Sequence, residues 1–505
     1  MPAPETVPSQ PGSLFADPGF ADVTEVDWEA AARGALRGQP LSSLQTMLID
    51  GIETAPLYSP HRHGTEGNLA GIPGDTPYVR GATAASGGQG WEVRQIHDVR
   101  RPGTPDAVTV DTTSGVDAVT VARGWSAEDD ADALASCIGD AAAAGVTIHL
   151  QAGTSPAHAG ALLEVLRRQR CEPGRNRSWL GVDPIAAAAC GWSADTDPGD
   201  ANELAAAVER AALSATDLAE RWPQGVPLEA DGSVFADAGA TDASELAATL
   251  ATGVAWLRAA CDAPAGPGLD PAAAARLVGF TISAGPDPFV VTAKCRALRM
   301  CWARVLSACG VDIVGGTGLP LRLHAVTSTA MLSELDPWVN MLRATTATFG
   351  AANGGVDAIT VRPFDTVSAA AAPSALGWRV AANTQLILRH ESRIGSVIDP
   401  AGGSWYVEDL TRSMASASWD RFRNIEAAGG ICAVMASGEL EASLSAEREH
   451  RDERITAGER VLVGVTEFVY PTEVGATSES NRSKLGASLG VHRWAAPYEA
   501  GALES

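Results

Sequence analysis

The chain has 505 residues, of which 45% are apolar and 19% are charged, so it can bury a large core in two to four domains or in one barrel with additions. Its formal net charge is −24, and Lys294 and Lys484 are its only lysines. Because so acidic a protein repels nucleic acid and anionic membranes, we expect neither as a partner.

Membrane and secretion signals are not evident in the sequence. No window has the roughly 18 uninterrupted apolar residues of a membrane span. The start, MPAPETVPSQPGS, lacks the basic residues and apolar run of a signal peptide. The eight cysteines form no CxxC pair and no zinc-type spacing with histidine. We expect a cytoplasmic protein with reduced cysteines.

The first 76 residues are predicted to form a tail and an arm that wraps around a partner. About 25 residues rich in Pro, Ser, Asp and Glu predict disorder, residues 27 to 50 have a helical pattern, and residues 52 to 90 are rich in Gly and Pro. His61, Arg62 and His63 lie in that loop without a nearby Asp or Cys, which is weak evidence for a metal site.

From about residue 115, short β-rich runs alternate with long Ala-rich helices, as in βα units around a parallel sheet. The eight candidate strands are AVTVA at 118 to 122, VTIHLQ at 146 to 151, WLGVD at 179 to 183, PLEAD at 227 to 231, VGFTISA at 278 to 284, PLRLHAV at 320 to 326, DAITVRP at 357 to 363 and SVID at 396 to 399. Eight strands close a TIM barrel, whereas a doubly wound sheet is expected to carry GxGxxG after its first strand, which is missing. We predict an α/β protein with a (β/α)8 barrel over residues 77 to 430, an N-terminal arm, and a helical and loop extension over residues 431 to 505.

Several helices between and after these strands have clear signals. Asp242 followed by Glu245 predicts a capping box, and further helices are predicted from Pro288 to about Cys309, from Met331 to about Phe349 and from Ser404 to about Ala428. Residues 430 to 470 predict a polar helix followed by a β-like run, LVGVTEFVYP.

The stretch from Leu376 to Thr411 predicts a helix, a loop with a short strand and the start of another helix. Leu376, Val380 and Ile387 fall on one helix face with Asn383 between them, so we expect that face to be buried. The loop DPAGG then predicts either a barrel closure or the rim of a ligand site, with Asn383 and Asp399 holding the closing turn.

In a TIM barrel, chemistry lies at the carboxyl ends of the strands. The polar residues expected there are Asp183, Asp231, Asp287, His324, Arg362, Asp365 and Asp399. His324 is a possible acid or base and Arg362 a possible anion clamp, but residue type alone favours capping, loop anchoring and ion pairing, which strand ends need regardless of activity.

Several long motifs resemble the catalytic barrel of the acyl-CoA mutases that use adenosylcobalamin. They are PYVRG at 77 to 81, GWEVRQ at 90 to 95, DAGATDASELAATLATGVAWLRA, AKCRALRMCWARV, LDPWVNMLRATTATFGA, ANTQLILRHES and VIDPAGGSWYVEDLT. The resemblance spans roughly residues 70 to 470 and is greatest to the small, or beta, subunit of heterodimeric methylmalonyl-CoA mutase. It implies a barrel that binds acyl-CoA along its axis and a flavodoxin-like cobalamin-binding domain further along the chain. The DxHxxG segment of that domain does not occur in this sequence, so we expect that the sequence was cut before the domain or that the domain is another polypeptide.

At the positions where the resemblance places catalytic groups, this chain departs from the family. Ile96 stands where active members have a Tyr after RQ. Ser233 and Val234 stand in place of a Tyr-His pair before AGAT, and Val326 replaces a substrate-binding Gln. A valine or isoleucine side chain cannot donate a hydrogen bond or polarise a carbonyl.

The resemblance also covers groups that hold the deoxyadenosyl moiety and the substrate carboxylate. Arg362 and Thr366 occupy the positions of an Asn and a Glu that hold the nucleoside, and no Arg or Lys occurs between Arg177 and Arg210 to grip a carboxylate. Arg94, Thr120 and His324 match positions of the acyl-CoA pocket and are possible remnants of it.

Two main hypotheses follow from these departures, and a third is that the pocket has been reused to bind a different acyl-CoA without reaction. The first is a non-catalytic beta-type subunit that forms a heterodimer with a homologous large (alpha) catalytic subunit, with adenosylcobalamin and acyl-CoA bound by the assembly and no metal or cofactor bound by this chain. The second is a catalytic large subunit of another acyl-CoA mutase, similar to isobutyryl-CoA mutase, that works with a separate cobalamin-binding chain.

Overall fold

A computed structural model describes residues 23–59, 71–83, 90–101, 103–122, 131–191, 199–262, 268–313, 321–367, 373–469 and 490–502. The chain forms two compact units, Met1–Tyr58 and Ser59–Ser505. The predicted disordered tail up to residue 22 and the cluster His61, Arg62 and His63 lie outside the described residues.

The first unit contains one helix and a two-stranded hairpin. Helix α1 (Glu25–Ala35) is followed by a 3-10 turn (Leu41–Leu44), and strand β1 (Thr46–Met47) pairs antiparallel with β2 (Glu53–Thr54). The predicted helix over residues 27 to 50 is wrong beyond Ala35, because Arg37 and Gly38 adopt left-handed backbone conformations with φ of 48° and 98°.

The second unit is built on eight parallel strands. They are β3 (Glu92–His97), β4 (Ala118–Val121), β5 (Thr147–Leu150), β6 (Trp179–Val182), β7 (Val226–Asp231), β8 (Val278–Ala284), β9 (Leu323–Thr327) and β10 (Ala358–Thr360), in the order β5-β4-β3-β10-β9-β8-β7-β6. A parallel bridge between Thr154, which follows β5, and Val182 in β6 joins the first and last strands of that order. The predicted (β/α)8 barrel is therefore confirmed.

Seven of the eight predicted strands form, but SVID at 396 to 399 is wrong. Ile394–Ser396 is a 3-10 turn, and Asp399 has a φ of 48°, which no strand accommodates. The missing barrel strand is β3, Glu92–His97. Its apolar pattern is weak because Glu92 and Arg94 face the barrel interior, where they pair with one another.

Helices surround the barrel and extend beyond it. They are α2 (Thr104–Thr113), α3 (Ala131–Ala143), α4 (Pro156–Arg168), α5 (Pro184–Ala189), α6 (Ala201–Arg221), α7 (Ser233–Asp237), α8 (Asp242–Cys261), α9 (Pro271–Arg276), α10 (Pro288–Ala308), α11 (Pro337–Asn353), α12 (Ala375–Leu386), α13 (Trp405–Ala427), α14 (Ile431–Ala436), α15 (Glu439–Thr456) and α16 (Ala496–Ala502). The helices predicted from Pro288 and Ser404 are confirmed. The one predicted from Met331 begins six residues later, and no strand forms within the described part of LVGVTEFVYP.

The predicted capping box at the start of α8 is wrong. The helix is preceded by Thr241, and its two acidic residues instead bind Lys294, whose side chain is fully buried. The Lys294 Nζ donates to Asp242 at 2.9 Å and also to Glu245. These ion pairs raise the pKa of Lys294 despite its burial, so the cluster fastens α8 to α10 as a charged unit.

Helix α12 is rotated relative to its predicted orientation. Gly377, Ala381 and Gln385 are buried, whereas Leu376 is exposed. Asn383 is exposed as well, so it holds no closing turn. The buried amide is that of Gln385, whose Oε1 accepts a hydrogen bond from Trp91 Nε1 at 3.1 Å.

The DPAGG loop lies beside the amino ends of the strands, where Gly395 contacts Gly90 just before β3. Asp399 is buried and pairs with Arg80 at 3.1 Å and with Arg296 at 3.2 Å. The loop is therefore part of the barrel closure and not a ligand rim, because binding sites of these barrels lie at the opposite end.

Candidate functional site

Polar side chains from seven strands converge inside the barrel on one cavity of about 40 Å³. Its lining consists of Arg94, Ile96, Thr120, His149, Leu150, Gln151, Ala152, Glu229, Asp231, Ser233, Thr281, His324, Val326, Thr360 and Arg362. We call this space the barrel cavity. It has room for a few water molecules, whereas pockets for larger ligands enclose roughly 300 Å³ or more.

The structure brings together most of the residues singled out in the sequence. Arg94, Ile96, Thr120, Ser233, His324, Val326 and Arg362 all line the barrel cavity. Val234 is buried in α7 and Thr366 donates to the carbonyl of Pro363, and neither lines it.

The first polar group of the barrel cavity joins β3, β5 and β6. Glu92 accepts from Arg94 Nε at 2.6 Å and from His149 Nε2 at 2.8 Å. The backbone N–H of Trp179 donates to His149 Nδ1 at 2.9 Å, so the imidazole carries its proton on Nε2. Burial and Arg94 lower the pKa of His149 to about 4, so this ring is neutral at physiological pH.

Arg94 is held from two directions. Besides its bond to Glu92, its guanidinium lies over the ring of Trp179, with 4.6 Å between Cζ and the ring centroid. Glu92 has a lowered pKa because Arg94 and His149 outweigh its desolvation. The pair is therefore ionised and fixed in place.

The second polar group runs across β7, β8, β9 and β10. Thr281 Oγ1 donates to Glu229 and lies 3.0 Å from His324 Nδ1, while His324 Nε2 lies 2.9 Å from Thr360 Oγ1. With its proton given to Glu229, the Thr281 hydroxyl can only accept from His324, so Nδ1 carries the ring proton and Nε2 accepts from Thr360. The base position of the imidazole is thus occupied by a protein hydroxyl.

Burial leaves both titratable members of this group uncharged near neutral pH. Burial and the charge of Arg94 lower the pKa of His324 well below its ordinary value. Burial and the nearby Asp231 raise the pKa of Glu229 to about 8. The result is a neutral acid and a neutral imidazole joined through Thr281.

Acidic residues at the carboxyl end of β6 and β7 serve local structure. Asp183 accepts from the backbone N–H groups of Ile185 and Ala186 and so begins α5, and burial raises its pKa to about 7. Asp231 accepts from the backbone N–H and hydroxyl of Ser233. Asp183 therefore caps α5, and Asp231 fixes Ser233 at the start of α7.

The rim of the barrel cavity is tied together by Asp237. This half-buried carboxylate accepts from the backbone N–H and hydroxyl of Thr329 at 3.2 Å and lies 3.6 Å from Arg362 Nη2. Its backbone carbonyl accepts from His492 of the C-terminal segment at 2.7 Å. Arg362 also donates through Nε to the carbonyl of Thr327 at 3.0 Å, so the proposed anion clamp is engaged by protein.

The remaining polar residues predicted at strand ends do not line the barrel cavity. Asp287 caps α10, Asp365 accepts from the backbone N–H of Ser374, and Asp399 lies in the loop beside the amino ends of the strands. Sequence reasoning missed His149, Glu229, Thr281 and Thr360. The available signal was the polar residue at every second position of strands that are otherwise apolar, since alternate residues of a barrel strand point inward.

The residues present do not fit the nucleoside of a cobalamin cofactor. At the two positions that the resemblance assigns to it, Arg362 is bonded to Thr327 and paired with Asp237, and the Thr366 hydroxyl is bonded to Pro363. Among the described residues, no group of three or more His, Cys, Asp and Glu side chains could hold a metal ion.

Comparison with known proteins decides the ancestry of this barrel. The family model described as methylmalonyl-CoA mutase matches residues 205–485. A methylmalonyl-CoA mutase small subunit from Streptomyces virginiae is 37% identical over 90% of this chain and 72% of its own length. This chain belongs to the methylmalonyl-CoA mutase family.

Other relatives have similar descriptions. A probable methylmalonyl-CoA mutase small subunit from Mycobacterium bovis is 34% identical over 96% of this chain and 77% of its own length. A methylmalonyl-CoA mutase small subunit from Propionibacterium freudenreichii subsp. shermanii is 32% identical over 91% of this chain and 70% of its own length. Membership of the methylmalonyl-CoA mutase family implies an enzyme that depends on adenosylcobalamin.

Proposed function

We propose that this chain is the beta-type, non-catalytic subunit of an adenosylcobalamin-dependent methylmalonyl-CoA mutase and supports a homologous catalytic subunit. The observation that carries the proposal is the barrel cavity. Its charged and imidazole groups are hydrogen-bonded to other groups of the protein, and about 40 Å³ remain at its centre. A substrate would have to displace these bonds, and each buried group left unpaired would cost about 1–3 kcal/mol.

The family positions for catalysis support the same role. Ile96, Ser233, Val234, Val326, Arg362 and Thr366 replace the groups that active members use. Arg94, Thr120 and His324 are then remnants of an acyl-CoA pocket, and Arg94 and His324 now serve the polar groups described above.

The N-terminal unit supports a protein partner. Helix α1 buries none of its residues, and Val23, Val26 and Met47 are exposed. An 11-residue helix that buries no face has little stability of its own in water. The arm is therefore best explained as a segment that becomes stable on the homologous large (alpha) subunit in a heterodimer.

The remaining parts of the proposal concern the assembly. Acyl-CoA and adenosylcobalamin belong to the large subunit, and the interconversion of methylmalonyl-CoA and succinyl-CoA takes place there. No helix within the described residues is long and apolar enough to cross a membrane. A cytoplasmic location and the absence of nucleic acid partners stay predictions from composition.

Turnover of methylmalonyl-CoA tests the function directly. The purified chain with added adenosylcobalamin should not convert methylmalonyl-CoA. It should form a complex with the matching large subunit in sedimentation velocity, and that complex should convert the substrate at the full rate. Turnover by the chain alone would refute the proposal. Turnover of isobutyryl-CoA with a separate cobalamin-binding chain would establish the alternative enzyme instead.

A matched pair of variants tests the non-catalytic role within the complex. His324→Asn removes the imidazole of the barrel cavity, and His97→Asn removes a buried imidazole that bonds Asp111 and lies outside the barrel cavity. With either variant in the complex, kcat per mole of complex should differ from the wild-type value by less than twofold. A tenfold loss with His324→Asn alone would show that the cavity takes part in catalysis.

A further inference from the structure

Two neighbouring outer helices, α11 and α12, have an unusual surface for so acidic a chain. Together they contain 29 residues, with Arg343 and Arg379 as their only charged side chains and no Asp or Glu. Arg343 is already engaged, since it donates to Asn340 and to the carbonyl of Val463. The outer helices α4 and α6 have the mixed charges expected of a solvated face, and those of α6 are Glu203, Glu209, Arg210, Asp217, Glu220 and Arg221.

Large apolar side chains take the place of charges on these helices. Leu342 is 67% exposed, Trp338 is 53% exposed and Leu376 is 50% exposed. Phe349 and Ile387, near the other ends of the two helices, are also exposed. We call the exposed side chains of Trp338, Leu342, Phe349, Leu376 and Ile387 the α11–α12 face.

The α11–α12 face differs from scattered surface hydrophobics. On α2 and α6 the exposed large apolar residue is single, Val110 and Leu213 respectively, and charged residues flank it. The α11–α12 face instead gathers five such side chains on adjacent helices. Their exposed area is on the order of 500 Å², near the largest apolar patch of a typical monomer and more than half of what one partner buries in a standard interface.

Packing inside the barrel explains why these residues point outward. The inner side of α12 consists of Gly377, Ala381 and Ala382, with Gln385 bonded to Trp91. On α11, Gly350 lies against Pro288, where an added Cβ would come within 2.8 Å of backbone atoms. Small residues are required beneath both helices, so their large apolar side chains lie on the outside, where the Trp338 ring also stacks on Phe364 with 5.2 Å between the ring centroids.

We infer that the α11–α12 face is the surface on which the homologous catalytic subunit docks. The inference rests on the proposed function and adds the location of the contact. A homologous barrel presents a helix pair at the equivalent place, so two such faces can meet across a pseudo-twofold axis, the commonest arrangement for paired subunits. The lack of carboxylates on this face also removes the repulsion that the net charge of −24 imposes on any partner of similar composition.

Charge insertion on the α11–α12 face tests the inference. Leu342→Glu and Leu376→Glu together should weaken binding of the full-length chain to the large subunit at least 100-fold in sedimentation equilibrium, because buried charges replace two apolar contacts. The matched control, Val110→Glu with Leu213→Glu, changes two exposed apolar residues on other helices and should shift the dissociation constant less than threefold. Since all four side chains are 40% to 67% exposed, circular dichroism should show folded proteins.

The possible outcomes separate this inference from the proposed function. If the wild-type chain binds the large subunit and the face variant binds equally well, the docking surface is wrong and the proposed function stands. If the wild-type chain does not bind at all, the proposed function fails, and this inference with it. Self-association of the chain that the face variant abolishes would assign the surface to a second copy and overturn the inference.

Hydrogen exchange provides a second measurement that does not depend on a variant. Amides of Pro337–Asn353 and Ala375–Leu386 should exchange at least tenfold more slowly in the complex than in the chain alone, whereas those of α2 should not change. Equal exchange in both states would contradict docking on this face.

Discussion

Replacing Glu229 by Gln should make the protein less sensitive to alkaline pH. Glu229 is buried in β7, and its burial and the nearby Asp231 favour the protonated form, although the hydrogen bond from Thr281 acts in the opposite direction. Its pKa is raised from 4.5 to about 8. Gln has nearly the same shape, accepts the Thr281 hydrogen bond through its amide oxygen and never ionises.

The sign follows from proton counting. Between pH 4.5 and 8 the unfolded chain has released the Glu229 proton while the folded chain still binds it, so the free energy of unfolding of the wild type falls as pH rises. From pH 5 to pH 7.5 this amounts to about 3 kcal/mol, at 1.36 kcal/mol for each pH unit. Glu229→Gln removes that loss and leaves the contributions of other groups, such as Asp183, in both proteins.

Urea denaturation followed by tryptophan fluorescence measures the difference. We expect Glu229→Gln and wild type to have similar free energies of unfolding at pH 5, and the variant to be the more stable by about 3 kcal/mol at pH 7.5. Glu209→Gln, at an exposed position on α6, is the matched control and should track the wild type at both pH values. A stability difference between Glu229→Gln and wild type that stays constant from pH 5 to pH 7.5 would refute the assignment of a neutral carboxyl group.

Two further predictions concern the barrel frame. Arg299 is buried and donates to the backbone carbonyls of Tyr78, Val79, Gly354 and Gly355. Arg299→Met should therefore lower the free energy of unfolding by about 3 kcal/mol or more in the same urea assay. The control variant Arg210→Met, on the surface, should change it by less than about 0.5 kcal/mol. Gly181 has a φ of 63°, and an added Cβ would lie 2.6 Å from the carbonyl oxygen of Leu150, so Gly181→Ala should destabilise the β5–β6 seam by about 2 kcal/mol or more. Gly160→Ala on α4, where the space is open, should instead stabilise the protein by about 0.5–1 kcal/mol. Equal effects of the two glycine variants would contradict the close packing of Gly181 between β5 and β6.

The sequence predicts the barrel well because most of its strands are short apolar runs followed by long helices. β7 and β8 are buried along their whole length and are found within one residue. β3 is different, since Glu92 and Arg94 face a polar interior and leave only a weak apolar pattern. A strand whose inward residues pair with one another cannot be recognised from hydrophobicity, and it was the GWEVRQ motif that indicated this part of the chain.

The barrel cavity could be predicted only in outline. Family motifs pick out Arg94, Thr120 and His324, but the bonds that neutralise His324 come from Thr281 and Thr360, which lie 43 and 36 residues away along the chain. Whether an imidazole is a free base or is bonded on both nitrogens depends on such long-range contacts. Spacing along the chain carries no information about them.

The clearest failure of the sequence pattern lies on α12, and it bears on function. Leu376 and Ile387 were expected to be buried, yet they are exposed, and the buried positions belong to Gly377, Ala381 and Gln385. Burying a leucine or isoleucine side chain stabilises a protein by about 1.5–3 kcal/mol. Leu376 and Ile387 do not contribute this stability while they are exposed to water. A local sequence pattern that disagrees with the fold is expected at a functional site, such as a surface that binds another protein. The same residues that misled the helix prediction are therefore the ones that indicate a partner.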